Sequence, residues 1–251
     1  MFDLIRKTPM KEYNGICYFY RHNRTGMEVL FIKNDSQEMT CAFTFATPSQ
    51  DSKGLAHILE HTVLCGSKRF PVKDPFTEIY NSSPNTFLNA MTFYDKTMYP
   101  FSSPLKKDFD IIFDIYADAV FNPLLRRESF EQEGVRFFKN KVDGVVFNEM
   151  RGARSTEDSA VSTYSTNKLF EGTGYEYDSG GNPVYIAELT YEEYLERYRQ
   201  WYSPANCRLF FFGDMDVQPY LDKLEELYLG PENDSRWSGK KIETRPEDLV
   251  L

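Results

Sequence analysis

The chain is 251 residues long, enough for one large domain or two small ones, and its 41% hydrophobic and 16% aromatic content excludes intrinsic disorder. A net charge of −9 with no basic stripe argues against nucleic acid as the main partner, and no apolar run reaches the about 18 residues of a membrane span. The four cysteines (Cys17, Cys41, Cys65, Cys207) are scattered without a C-x-x-C pair, as expected of reduced thiols in a cytoplasmic-type compartment.

The opening "MFDLIRKTPM" lacks the apolar core of a secretory signal. The expected location is therefore a bacterial cytoplasm, or an organellar matrix if a transit peptide has been removed. "GICYFYRH" (15–22), "MEVLFIKN" (27–34) and "MTCAFTFAT" (39–47) read as strands of an antiparallel meander, separated by the turn residues "HNRTG" and "NDSQ". "TPSQDSKG" breaks the pattern, and "LAHILEHTVLCG" follows with helical spacing; Leu55, Ile58, Leu59 and Thr62 can face a core, and Gly66 is a stop. "DPFTEIYNSS" predicts a helix with Asp74 as N-cap and Pro75 at its first position. Residues 85–93 and 95–103 read as two more strands. In the helix that follows 104, Phe109, Ile112, Phe113, Tyr116, Ala117 and Val120 form the stripe of a helix packed on a sheet, ending before Pro123.

"RRESFEQEGVRFF" and "VVFNEMRGARS" read as further helices. "LTYEEYLERYRQWY" (189–202) is a helix with Thr190 as N-cap and Glu193 completing a capping box. "NCRLFFFGDMD" (206–216) adds a strand, and "VQPYLDKLEELYLG" a last amphipathic helix. Strands first and last with helices between predict an α+β fold: a two-layer sandwich of a largely antiparallel sheet with helices on one face. Residues 1–232 are expected to form this domain. The polar, Pro-containing 233–251 stretch reads as a linker or the start of another domain.

Only three histidines occur, and two of them bracket a glutamate in "HILEH". On a helix His57 and His61 lie one turn apart on one face, so both imidazoles can reach one ion, and Glu60 flanks that face. A catalytic zinc needs a third protein ligand, which must come from elsewhere in the chain. H-x-x-E-H is the inverted order of the H-E-x-x-H zinc-protease helix.

The residues around this motif carry a resemblance. "GLAHILEHTVLCGSKRFPVKDPF", "NTFLNAMTFYDKTMYPFSS", "GVVFNEM" (144–150), "SGGNPVYIAELTYEE" and "YSPANCRLFFFGD" occur in the order seen in the pitrilysin/insulinase superfamily of zinc metallopeptidases, and are most similar to its presequence-protease branch. The resemblance covers about residues 15–230. It implies a domain that binds one Zn²⁺ through His57, His61 and, in the "NEM" element, Glu149, with Glu133 and Glu157 as rival carboxylates outside that motif. It also implies Glu60 as the general base toward a metal-activated water, with peptide-bond hydrolysis in unfolded peptides and oligopeptides as the reaction. The family's sheet-edge strand beside the metal, where peptides add as an extra strand, corresponds to Phe87, Asn89, Ala90, Met91 and Thr92. The ligand imidazoles also need acceptors to fix their tautomers, and Asp95 and Asn89 are the candidates.

Full enzymes of that family close two related halves around a chamber, the second half supplying an arginine and a tyrosine. The expected partners are thus peptide substrates and the C-terminal half of a longer polypeptide, with neither nucleic acid nor membrane among them. The alternative is a non-catalytic family member acting as an assembly or interaction subunit.

Overall fold

Eight strands build the main sheet of the computed structural model, which describes residues 1–139 and 141–242. They are β1 (Phe2–Met10), β2 (Gly15–His22), β3 (Glu28–Lys33), β4 (Met39–Ala46), β5 (Phe87–Leu88), β6 (Met91–Thr92), β7 (Lys96–Ser103) and β10 (Cys207–Gly213). β8 (Arg136–Phe138) and β9 (Lys141–Asp143) form a separate antiparallel hairpin. The main order is β1-β2-β3-β10-β4-β7-β5, with β6 also on β7, and every pairing but one is antiparallel. The exception is β10 on β3, which are parallel.

The expected meander therefore holds from β2 to β3 and fails from β3 to β4, because β10 inserts between them. The register explains why a distant strand takes that place. Leu209 lies opposite Val29 on one side and Phe43 on the other, and Phe43 opposes Tyr99; Phe211 likewise sits between Phe31 and Cys41, with Phe101 beyond. These eight residues are all buried and make two apolar rows across four strands. Burial along β10 alternates, with Cys207, Leu209 and Phe211 buried and Arg208, Phe210 and Phe212 only half-buried. One sheet face thus carries the helices, as the α+β reading expects.

On that face lie α1 (Leu55–Val63), α3 (Lys106–Phe121), α8 (Tyr191–Trp201) and α9 (Gln218–Leu227). The six stripe residues expected on α3 are all buried, and Phe113 meets Phe43, Phe211 and Tyr220 at ring-centroid distances of 5.6, 6.0 and 4.9 Å. α2 (Pro75–Ser82) starts as read, with the Thr77 N–H donating to Asp74 Oδ1 at 2.9 Å. α4 (Arg127–Glu133), α5 (Val145–Ala153), α6 (Glu157–Leu169) and the short α7 (Pro183–Ile186) complete the described helices.

Two further readings change. The helix expected across 126–138 stops at Glu133, because Gly134 follows and the chain turns into the β8–β9 hairpin, leaving Phe137 and Phe138 exposed. The single strand expected over 85–93 is broken at Asn89 and Ala90 into β5 and β6. β1 and α6 carry no sequence signal, since each lacks a buried residue to set a period. Residues 233–242 lie on the domain itself: Asn233 is buried, the Trp237 ring meets Tyr198 at 5.8 Å, and the Ile242 N–H donates to Asn206. The rest of that expected linker, 243–251, lies outside the described residues. Among the described residues no helix is long and apolar enough to cross a membrane.

The α8 capping box forms as read: the Glu193 N–H donates to Thr190 Oγ1, and Glu193 accepts from the Thr190 N–H. That backbone bond, with Lys53 beside it at 2.9 Å, holds the Glu193 carboxyl down at about 2 from its ordinary 4.5. A depressed acid contributes stability above its unfolded pKa and loses it as pH falls toward the folded value. Because Glu193 is 47% exposed, solvent screens much of this. Glu193→Gln is expected to lower stability by less than the roughly 1 kcal/mol of a full cap at neutral pH. Melts of the two proteins should converge between pH 4 and pH 2; a gap independent of pH would disprove the assignment.

Candidate metal centre

α1 is nearly engulfed: Ala56, His57, Ile58, Leu59, Glu60, Thr62 and Val63 are all buried. Its apolar side enters the core through Ile58, Leu59 and Val63. Thr62 Oγ1 donates to the Ile58 carbonyl and accepts from Tyr194 of α8 at 2.8 Å, which fixes the helix against its neighbour. Burying polar groups is costly unless each finds a partner, so the partners of His57 and His61 define the site.

The two imidazoles stand edge to face, with centroids 4.8 Å apart and planes at 82°. His57 Nδ1 lies 3.4 Å from the Gly180 carbonyl oxygen, and His61 Nδ1 lies 3.1 Å from Glu133 Oε2. A carbonyl and an ionised carboxylate only accept, so in both neutral rings Nδ1 carries the hydrogen and Nε2 keeps its lone pair. Both Nε2 atoms face α5: Glu149 Oε2 is 3.6 Å from His57 Nε2 and 4.0 Å from His61 Nε2. One ligand atom from each of the three residues lies within 4.8 Å of the others. Two nitrogen donors and one carboxylate oxygen are a donor set suited to zinc, with a coordination position left over.

The electrostatics favour a cation. Burial works against a charged His61 ring, but the Glu133 hydrogen bond and the charges of Glu60, Glu133 and Glu149 outweigh it and raise the pKa above 6.5. Burial also pushes the nearby Cys65 thiol up to about 12, so it stays protonated and unreactive. A cleft of about 260 Å³ opens beside the centre, lined by Glu60 and His61 from α1, by Phe76 and Asp74 at α2, and by Asn89 and Ala90 between β5 and β6.

The residues singled out from the sequence fall into two groups. His57, His61 and Glu149 converge, Glu60 lines the cleft next to them, and of the edge-strand residues Asn89 and Ala90 reach it. Phe87 is exposed, and Met91 and Thr92 are half-buried beside them on the sheet edge. Glu133 serves as the acceptor for His61, and Glu157 begins the exposed helix α6. Asp95 and Asn89 do not hold the imidazoles. Asp95 accepts the Tyr175 hydroxyl at 3.0 Å, and Asn89 Oδ1 takes the Ala90 N–H. The acceptors are instead Glu133 and a backbone carbonyl, and a carbonyl's role has no residue signature.

Gly180 is brought to α1 by glycine. At the helix start Gly54 has φ +68°, and a Cβ there would lie 2.8 Å from the Gly180 oxygen; Gly181, at φ +90°, would place a Cβ 2.5 Å from the Gly54 Cα. Only two bare backbones pass this closely.

Comparisons with known proteins give the chain's relatives. Residues 46–160 match the family model described as insulinase (peptidase family M16). An uncharacterized protein of Borreliella burgdorferi is 42% identical across 96% of this chain and 26% of its own length. Presequence protease 1, chloroplastic/mitochondrial, of Arabidopsis thaliana is 38% identical across 99% of this chain and 24% of its own. The chain thus spans about a quarter of the length of these relatives. Among solved structures, the ferredoxin protease FusC in complex with Arabidopsis ferredoxin shares the fold, with a TM-score of 0.71 at 16% identity over 94% of this chain and 26% of that one.

Gly181→Ala is expected to destabilise the protein by at least about 1–2 kcal/mol in denaturant melts, from the left-handed backbone and the collision with Gly54. Gly174→Ala, in the same loop with open space around it, serves as the control and should be close to neutral. Equal stabilities would contradict the close approach.

Proposed function

The chain belongs to the insulinase family (peptidase family M16), and from that premise we propose that it is a zinc-dependent endopeptidase domain acting on unfolded peptides and oligopeptides. The observation that carries the reading is the meeting of His57 Nε2, His61 Nε2 and the Glu149 carboxylate, with both Nδ1 atoms already committed elsewhere. These three residues would hold the ion. Bound there, zinc supplies Lewis acidity that makes water more acidic and polarises a carbonyl oxygen.

The remaining steps belong to the chain's own residues. Glu60, at the cleft wall beside His61, takes the proton of the attacking water and later returns it to the leaving amine. Glu133 and the Gly180 carbonyl keep the two imidazoles in the tautomer that presents Nε2. β5 and β6 pair only with β7 among the described residues, so their outer edge can accept an extended peptide as a further strand. Phe87, Asn89, Ala90, Met91 and Thr92 supply that edge, and the backbone bonds it offers do not depend on peptide sequence. Presequence-like peptides are a fitting substrate class, given the names of several relatives. Because the relatives are about four times as long, full activity is proposed to need a C-terminal half that encloses the peptide.

Purified protein is expected to carry one zinc per chain and His61→Ala none; a parent without stoichiometric zinc would refute the proposal. Glu60→Gln should keep the metal while losing about 10²–10⁴-fold in kcat/KM on a quenched fluorescent peptide. A parent extended to the length of its relatives that binds zinc yet leaves the peptide intact would instead indicate an assembly subunit.

A further inference from the structure

The loop 178–182 lies between the start of α1 and the end of α5, and one ion pair closes it. Asp178 Oδ2 accepts from Arg154 Nη2 at 2.7 Å, while Asp178 Oδ1 takes the Gly180 N–H at 2.9 Å and the Asp178 carbonyl takes the Gly181 N–H at 3.0 Å. Arg154 is the residue that ends α5, five positions beyond Glu149. Its side chain is 19% exposed and that of Asp178 30%, so the pair is shielded and its geometry is restrained. Two more contacts seat the loop. Met150 of α5 lies so close that a Cβ on Gly180 would come within 2.6 Å of its Cε, and the Asn182 N–H donates to the Ser52 carbonyl at 2.7 Å, just before α1.

This loop carries the carbonyl that holds His57. We propose that Arg154 and Asp178 are positioning residues of the metal centre, locking the His57 imidazole on α1 and the Glu149 carboxylate on α5 into one arrangement through Gly180. The inference rests on the zinc reading above and goes beyond it, since neither residue touches the ion. Without the Asp178 carboxylate the loop loses the acceptor of the Gly180 N–H and its tie to Arg154, and only the Gly181 N–H bond to the Asp178 carbonyl still holds the peptide that carries the Gly180 oxygen, so that oxygen can shift away from His57 Nδ1. Without Arg154 the end of α5 loses its tie to the loop, and Glu149 moves relative to the two rings.

The test measures metal binding rather than turnover, on the 251-residue chain. Zn²⁺ affinity is read by competition with a chromophoric chelator, and Co²⁺ visible absorption reports the ligand geometry. Asp178→Ala and Arg154→Ala are expected to bind Zn²⁺ about 10–100-fold more weakly with altered Co²⁺ bands, and Arg154→Lys, which keeps the charge, should recover most of the loss. Metal-free melting temperatures separate this from general damage: a purely structural role predicts lowered melting with unchanged Co²⁺ bands. Should Asp178→Ala fail to fold, Asp178→Asn keeps the acceptor for Gly180 while removing the charge that Arg154 pairs with, and is expected to show the same weakening as Arg154→Ala. Parent-like affinity and Co²⁺ bands in folded variants would overturn the positioning role alone. A parent that binds neither ion would overturn the metal centre and the positioning role together.

Discussion

The site depends on a helix that is almost wholly buried while carrying two imidazoles and a carboxylate. Seven of the nine residues of α1 are buried, and Glu60 and His57 are among them. A protein interior tolerates such groups only when their polar atoms are met, and the surroundings of α1 are organised by that demand. Glu133 comes from α4, the Gly180 carbonyl from the loop before α7, Glu149 from α5, and the Tyr194 hydroxyl from α8 reaches Thr62. The sheet contributes by holding α1 over its β6–β7 edge, so the same helix faces both the core and the outer strand. Packing and chemistry are thus set by one element.

Three carboxylates around two imidazoles leave an excess of negative charge in a partly desolvated place. The raised pKa of His61 is one expression of it: burial opposes the charged ring, and Glu133, Glu60 and Glu149 favour it by more. A divalent cation balances the same charge more completely and uses the lone pairs that a proton would occupy. The solvent-facing position of Glu149, 54% exposed, contrasts with the 11% of Glu133, and it separates the ligand proposed above from the residue that orients His61. An exposed carboxylate can adjust to an incoming ion, whereas a buried one holds its partner still.

How much of this was legible in the sequence varied by element. α3 and α8 could be read outright, because an apolar stripe and a capping box are local and periodic. "HILEH" drew attention because histidine is scarce and these two are one turn apart. The place of β10 could not be read, since strand order is decided by which apolar rows match across the sheet, here Leu209 between Val29 and Phe43. The acceptors of the imidazoles were missed for a related reason. Asp95 and Asn89 are the right kinds of residue near the motif, but a backbone carbonyl at Gly180 and a helix-terminal Glu133 do the work, and their proximity exists only after folding. In hindsight the "SGG" at 179–181 carried the signal: adjacent glycines beside a short acid mark a backbone that must pass close to something.

The inverted order of the motif has a geometric meaning as well. Each residue turns an α-helix by about 100°, so two histidines four apart sit about 40° from each other in either order. In H-E-x-x-H the glutamate lies about 60° to 100° to one side of that pair; in H-x-x-E-H it lies by the same angles on the other. Reversing the letters therefore carries the carboxylate across the metal-binding stripe while keeping its distance from it. On α1 that flank is the one lining the cleft with Asn89 and Ala90, where Glu60 meets the free edge of the sheet. The order of the letters thus matters through the side it sets, and for the role proposed for Glu60 that side is the one turned toward the sheet edge.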